Sequence, residues 1–159
     1  MTEDDLVSAL REIACAVGLE PAATEAGIAE AERVIGSPMP PLLRRLYMEV
    51  GNGGFGPGVL GVPGCNYAGG TFEDIADLLR NGPDPDGKIP HGLVLLHDWG
   101  CAKWSLIDFR DPDGAMWGND SGELFPENMN LSEWLAYWVE GRLGFPGRPI
   151  KPVNEDSDH

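Results

Sequence analysis

Histidine, cysteine and carboxylate side chains close together make nucleophiles, acid–base pairs and metal sites. In this 159-residue chain the nearest such grouping is His97 beside Asp98, with Cys101 four residues on. A histidine within reach of a cysteine can take its proton and leave a thiolate nucleophile. The local pattern argues otherwise. His97-Asp98-Trp99-Gly100 reads as a turn closing a strand, and Cys101 as a small apolar filler. The remaining histidines, His91 and His159, stand in no motif.

Metal-ligand spacing is equally sparse. The chain has no Cys-x-x-Cys, His-x-x-x-His or His-Glu-x-x-His. Asp111-Pro112-Asp113-Gly114 places its glycine fourth, where a calcium loop needs it sixth. The glycine-rich run Gly51 to Gly64 has no Lys-Ser/Thr ending and opens no helix, so it is no phosphate loop. No serine sits in a Gly-x-Ser-x-Gly elbow. Asp and Glu total 26, so any two could converge, and that abundance removes the signal for a paired-carboxylate mechanism. No catalytic residue, metal or cofactor is expected.

Aromatic residues are distributed more tellingly. Trp99, Trp104, Trp117, Trp134 and Trp138 all fall in the second half. Trp134 and Trp138 are spaced i, i+4 and read as one helix face packed inward. Trp99 is expected in a turn. Trp104 shares a strand face with Leu106 and Asp108, opposite Ser105, Ile107 and Phe109, one face being core and the other exposed. Tryptophan beside charge is a common interface anchor. Asp98, Trp99, Lys103, Trp104 and Asp108 are therefore the candidate partner-binding residues.

The elements that must hold these residues follow from spacing and caps. Thr2, with Asp5 three residues on, starts a helix whose Leu6, Leu10, Ile13 and Val17 share a face, stopped at Gly18. A second helix spans Thr24 to Ile35, with Ile28, Ala31 and Ile35 inward and Gly36 as stop. Pro40 or Pro41 opens a third, with Leu42, Leu43, Leu46, Tyr47 and Val50 inward. Phe55 to Val62 reads as a glycine-laced strand. Thr71 caps a short helix from Phe72 to Arg80. Strands are expected at Leu93–His97, Trp104–Phe109 and Gly114–Gly118, the last two joined by the Asp111–Gly114 turn. Asn130 or Ser132 begins a closing amphipathic helix with Leu131, Trp134, Leu135 and Trp138 inward. The fold class is α+β: N-terminal helices, then a mostly antiparallel twisted sheet, then a C-terminal amphipathic helix. Residues 1–150 form one domain, and 151–159 read as a disordered acidic tail.

Composition bounds the partners. The net charge is −15 and the pI about 4.3. Phosphate contacts need Lys and Arg, so nucleic acid is excluded as a partner, and an anionic lipid surface is repelled. A basic protein is attracted, and its association is accelerated by the field. Three cysteines at irregular spacing are no disulfide framework and point to a reducing, cytoplasmic setting. The acidic start Thr-Glu-Asp-Asp reads as no signal peptide, and no apolar run is long enough for a membrane span.

The order of these parts resembles the SUKH superfamily, which includes yeast cell-wall-assembly regulators and many bacterial immunity proteins. The resemblance rests on Ile28-Ala-Glu-Ala-Glu-Arg-Val-Ile-Gly36, Met39-Pro40, Leu42-Leu-Arg-Arg-Leu-Tyr47 and Asn52-Gly53-Gly54. It continues through Trp99-Gly100-Cys101, Trp104 to Phe109, Phe125 and Trp134-Leu135, covering roughly residues 24 to 140. It implies a mixed α+β fold without conserved catalytic machinery. It also implies an immunity protein that binds and neutralises a bacterial toxin domain, of which basic nucleases are one kind. A regulatory interaction module without a toxin is the alternative. The Gly and Pro usage, 22 and 14 residues, suits a bacterium of high genomic GC content.

Overall fold

The computed structural model describes residues 1–18, 20–66, 73–84 and 86–150. Helix α1 (Glu3–Val17) opens with the expected capping box: Asp5 N–H donates to Thr2 Oγ1, and Thr2 N–H donates to Asp5 Oδ2, both at 3.1 Å. Three acidic residues in its first turn complement the helix dipole. Helix α2 (Glu25–Ile35) is capped by Thr24 and ends at Gly36, whose φ of 85° only glycine adopts without strain. Helix α3 (Pro41–Glu49) has proline at its first position, and the short helix α4 (Ile75–Asn81) is capped by Asp74. The Asp74 cap corrects the expected start; Thr71 and Phe72 lie outside the described residues.

Four antiparallel strands follow in sequence order: β1 (Leu93–Gly100), β2 (Lys103–Asp108), β3 (Ala115–Asp120) and β4 (Glu123–Asn130). Helix α5 (Leu131–Val139) continues directly from β4, with Asn130 and Glu133 forming a second capping box. A hairpin of two-residue strands, β5 (Leu143–Gly144) and β6 (Arg148–Pro149), ends the described chain. The architecture is the α+β arrangement expected: helices, an antiparallel sheet, then a helix. The acidic tail expected at 151–159 lies outside the described residues.

The core gathers one face from every helix. Leu6, Leu10, Ile28, Ile35, Leu43, Leu46, Tyr47, Ile75 and Trp134 are fully buried together with Leu96 and Leu106. Burying a Leu, Ile or Val side chain stabilises by about 1.5–3 kcal/mol, so this shared cluster is the main driving force for the fold. α1 is buried only at Leu6, Val7 and Leu10, with Ala14 packed part-buried against the core, and it contacts α3 and α5. Ile13 and Val17, expected on the same face as Leu6 and Leu10, are 37% and 82% exposed. They border a groove shared with Phe55 and Trp138. Only the N-terminal part of the shared face is therefore buried.

Three other expectations are corrected. Phe55 to Val62 is no strand. It folds as consecutive turns, with Gly54 N–H to Val59 O at 2.7 Å and Val59 N–H to Phe55 O at 3.0 Å. Positive φ values at Gly53, Gly54, Gly56 and Gly58 defeat an extended ladder. Its Phe55, Val59, Leu60 and Val62 are nevertheless buried. Next, β1 runs on through His97, Asp98, Trp99 and Gly100, so the turn lies instead at Cys101–Ala102. Finally, the middle of β2 is covered on both faces: Leu106 and Ile107 are equally buried. β4 is an element the sequence reading lacked. Its Pro126, Glu127 and Asn128 are poor strand formers, tolerated here because β4 is an edge strand carrying a bulge.

Candidate functional site

The register fixes which residues meet. Cross-strand partners form rows: Val94, Ile107 and Met116; Leu95, Leu106, Trp117 and Pro126; His97, Ser105, Gly118 and Phe125; Asp98, Trp104, Asn119 and Leu124. Alternate rows face opposite sides. Asp98 and Trp104 therefore share one face as direct partners. Lys103 lies on the other face, where its Nζ pairs with Asp120 Oδ1 at 3.0 Å. Trp99 reaches that same face through the irregularity between Asp98 and Gly100: its indole N–H donates to Ser105 Oγ at 2.7 Å.

Four of the five candidate residues, Asp98, Trp99, Lys103 and Trp104, thus cluster at the β1–β2 hairpin end, split between its two faces. Asp108 does not join them. It sits five residues along β2, roughly 17 Å away at strand rise. There its carboxylate takes Arg110 in an ion pair at 3.0 Å.

The hairpin end is also where the histidine and cysteine candidates lie. His97 Nδ1 is hydrogen-bonded with Gly58 O at 2.8 Å, and its ring meets Trp99 edge-on at 4.5 Å between centroids. Burial holds its pKa below the ordinary 6.5, against the pull of the Gly58 carbonyl and the Asp98 charge. Cys101 is no apolar filler. It is exposed at the hairpin tip with φ 54°, beside Ala102 at φ 60°. Among the described residues no three His, Cys, Asp or Glu side chains converge as metal ligands. No helix among them is long and apolar enough to cross a membrane.

Charge is arranged unevenly. Among the described residues, eight of the ten Lys and Arg side chains are paired with carboxylates, as in Arg45 with Asp4 and Glu49, or Arg80 with Glu30. With 26 acidic residues in the chain, these pairs leave a large excess of negative charge. A second face at β3–β4 illustrates it: Asp111, Asp113 and Glu133 border a shallow cleft with the half-buried Trp117 and with Pro126.

Sequence reasoning missed Phe125, Glu127 and Arg148 as a unit. The Arg148 guanidinium lies 4.9 Å over the Phe125 ring, and its Nε stands 3.8 Å from Glu127 Oε2. Phe125 was visible as an aromatic. No spacing rule links a carboxylate in β4 to an arginine 21 positions later in a separate hairpin.

A family model, that of the SMI1 / KNR4 family (SUKH-1), matches residues 22–137. That span runs from just before α2 to within α5 and takes in the whole four-stranded sheet. No curated protein matches the chain.

Proposed function

The chain belongs to the SMI1 / KNR4 family (SUKH-1), and from that premise we propose that it is a non-catalytic binding protein, an immunity protein that captures and neutralises a basic toxin domain. The observation that carries the reading is the charge: −15 over 159 residues, with most cations already paired to carboxylates. Such a field accelerates capture of a cationic protein and discriminates against anionic partners. An acidic inhibitor that occupies the substrate-phosphate site of a nuclease supplies the charges that site is built to hold.

The contact surface proposed is the β1–β2 hairpin end. Trp99 and Trp104 supply apolar area, Asp98 supplies charge, and Lys103 fixes Asp120. The thiol route to catalysis is not favoured, because His97 spends Nδ1 on Gly58 O and Cys101 stands out at the tip.

The test is capture from the native cell with this chain as bait, identified by mass spectrometry at low and at high salt. A basic domain, held tightly and partly released by salt, is the expected result. Capture of neutral or acidic partners only would replace the toxin reading with that of a regulatory interaction module.

A further inference from the structure

The β5–β6 hairpin rests on the sheet without backbone hydrogen bonds to it. Among the described residues its backbone bonds stay local: Gly147 N–H to Gly144 O, Ile150 N–H to Arg142 O, and Arg142 N–H to Tyr137 O. What seats it is side-chain contact. Gly147 is buried so close to the sheet that a Cβ there would come within 2.8 Å of Ser105 Oγ and 3.1 Å of the Trp99 ring. Phe145 meets Trp99 edge-on at 6.3 Å but is 58% exposed.

Beneath the hairpin, Gly118 opposes Phe125, and the missing side chain opens a space. A Cβ on Gly118 would meet the Phe125 ring at 2.5 Å and Glu127 Oε1 at 2.6 Å. Glu127 occupies that space with only 8% of its side chain exposed, while Arg148 above it is 55% exposed. No hydrogen bond to the Glu127 carboxylate is formed among the described residues; its one partner is Arg148, at 3.8 Å. A largely buried carboxylate with no hydrogen bond from the protein rewards a close cation. An aromatic face beside a carboxylate suits one cation best. A planar guanidinium stacks on the ring and forks onto both oxygens, whereas an ammonium does only half of this.

We propose that Phe125 and Glu127, over Gly118, form a socket for an arginine side chain of the partner, which the free protein fills with its own Arg148, so that the β5–β6 hairpin is lifted when the partner's arginine enters. The hairpin's local bonding lets it leave as a unit without breaking the sheet. The partner's identity as a basic protein rests on the function proposed above; the socket itself does not.

The experiment uses the full chain and a blocked arginine amide as probe, titrated by NMR with the Trp99 indole N–H as reporter. Arg148→Ala is expected to bind the probe about ten-fold more tightly than the unaltered chain, as removal of a self-ligand requires. Arg148→Ala with Glu127→Gln is expected to lose that gain, and a blocked lysine amide to bind several-fold more weakly than arginine. Thermal melts establish that each variant is folded. Arg148→Lys, which keeps the charge and loses the fork, gives a smaller gain of the same sign if Arg148→Ala fails to fold. No gain on removing Arg148, or a gain indifferent to Glu127→Gln, overturns the socket. A basic partner that binds Glu127→Gln as well as the unaltered chain also overturns it while leaving the proposed function intact.

Discussion

Asn52 and Val62 hold one another through both backbone groups of Val62. Val62 N–H donates to Asn52 Oδ1 at 2.8 Å, and Asn52 Nδ2 donates to Val62 O at 3.3 Å. The amide thereby stands in for a neighbouring strand and closes the glycine-rich segment between them. Asn52 is buried, so neither Val62 group has water as a substitute. Asn52→Ala leaves both unpaired and is expected to destabilise by about 2–4 kcal/mol. Urea unfolding checks this; a loss below about 0.5 kcal/mol would show the loop is held by its turns alone.

The β1–β2 tip offers a gain of stability. Cys101 and Ala102 both carry positive φ, the geometry of a two-residue hairpin turn that favours Asn-Gly. Cys101→Asn with Ala102→Gly is expected to raise stability by about 0.5–1 kcal/mol. An unchanged urea midpoint would mean the tip is not strained.

The Trp99–Ser105 bond ties that tip to the sheet. Ser105 is buried, so Ser105→Ala removes the indole's acceptor without admitting water freely. A cost of about 1–2 kcal/mol is expected, with a shift in Trp99 emission. No shift and no loss of stability would place the indole already in water.

His97 makes stability depend on pH. Its pKa is lowered in the fold, first by burial, so the unfolded chain takes up the proton more readily. The contribution is fully present above the ordinary 6.5 and is lost as pH falls through the lowered folded value. Glu127 acts in the opposite sense, because burial raises its pKa and its proton binds better in the folded chain. His97→Gln, which can still bond Gly58 O, is expected to flatten the fall in melting temperature between pH 7 and 5, a window that brackets the imidazole's ordinary value of about 6.5. Parallel curves for both proteins would remove His97 as the cause.

Much of the fold was legible because local signals were strong and agreed with packing. Thr2, Thr24, Pro41 and Asn130 mark helix starts by chemistry the backbone requires, and Asp111-Pro112-Asp113-Gly114 turns the chain where expected. β4 was not legible, since Pro126 and Asn128 are admitted by an edge and a bulge that only tertiary context creates. Phe55–Val62 misled for the converse reason: its apolar residues are buried, but its glycines turn the chain. The candidate residues Asp98 and Trp104 were read together and do pair across strands. Glu127 and Arg148 meet only because the last hairpin folds back, which no periodicity encodes.

The proposed function is neutralisation of a basic toxin domain by binding. The direct measurement is growth of a sensitive strain expressing the captured basic domain, with and without this chain. Growth is expected to be restored by the chain, and restored less by a variant carrying Asp98→Lys and Trp104→Ala that still folds. Equal killing in the presence of the chain, with the complex formed, would contradict it.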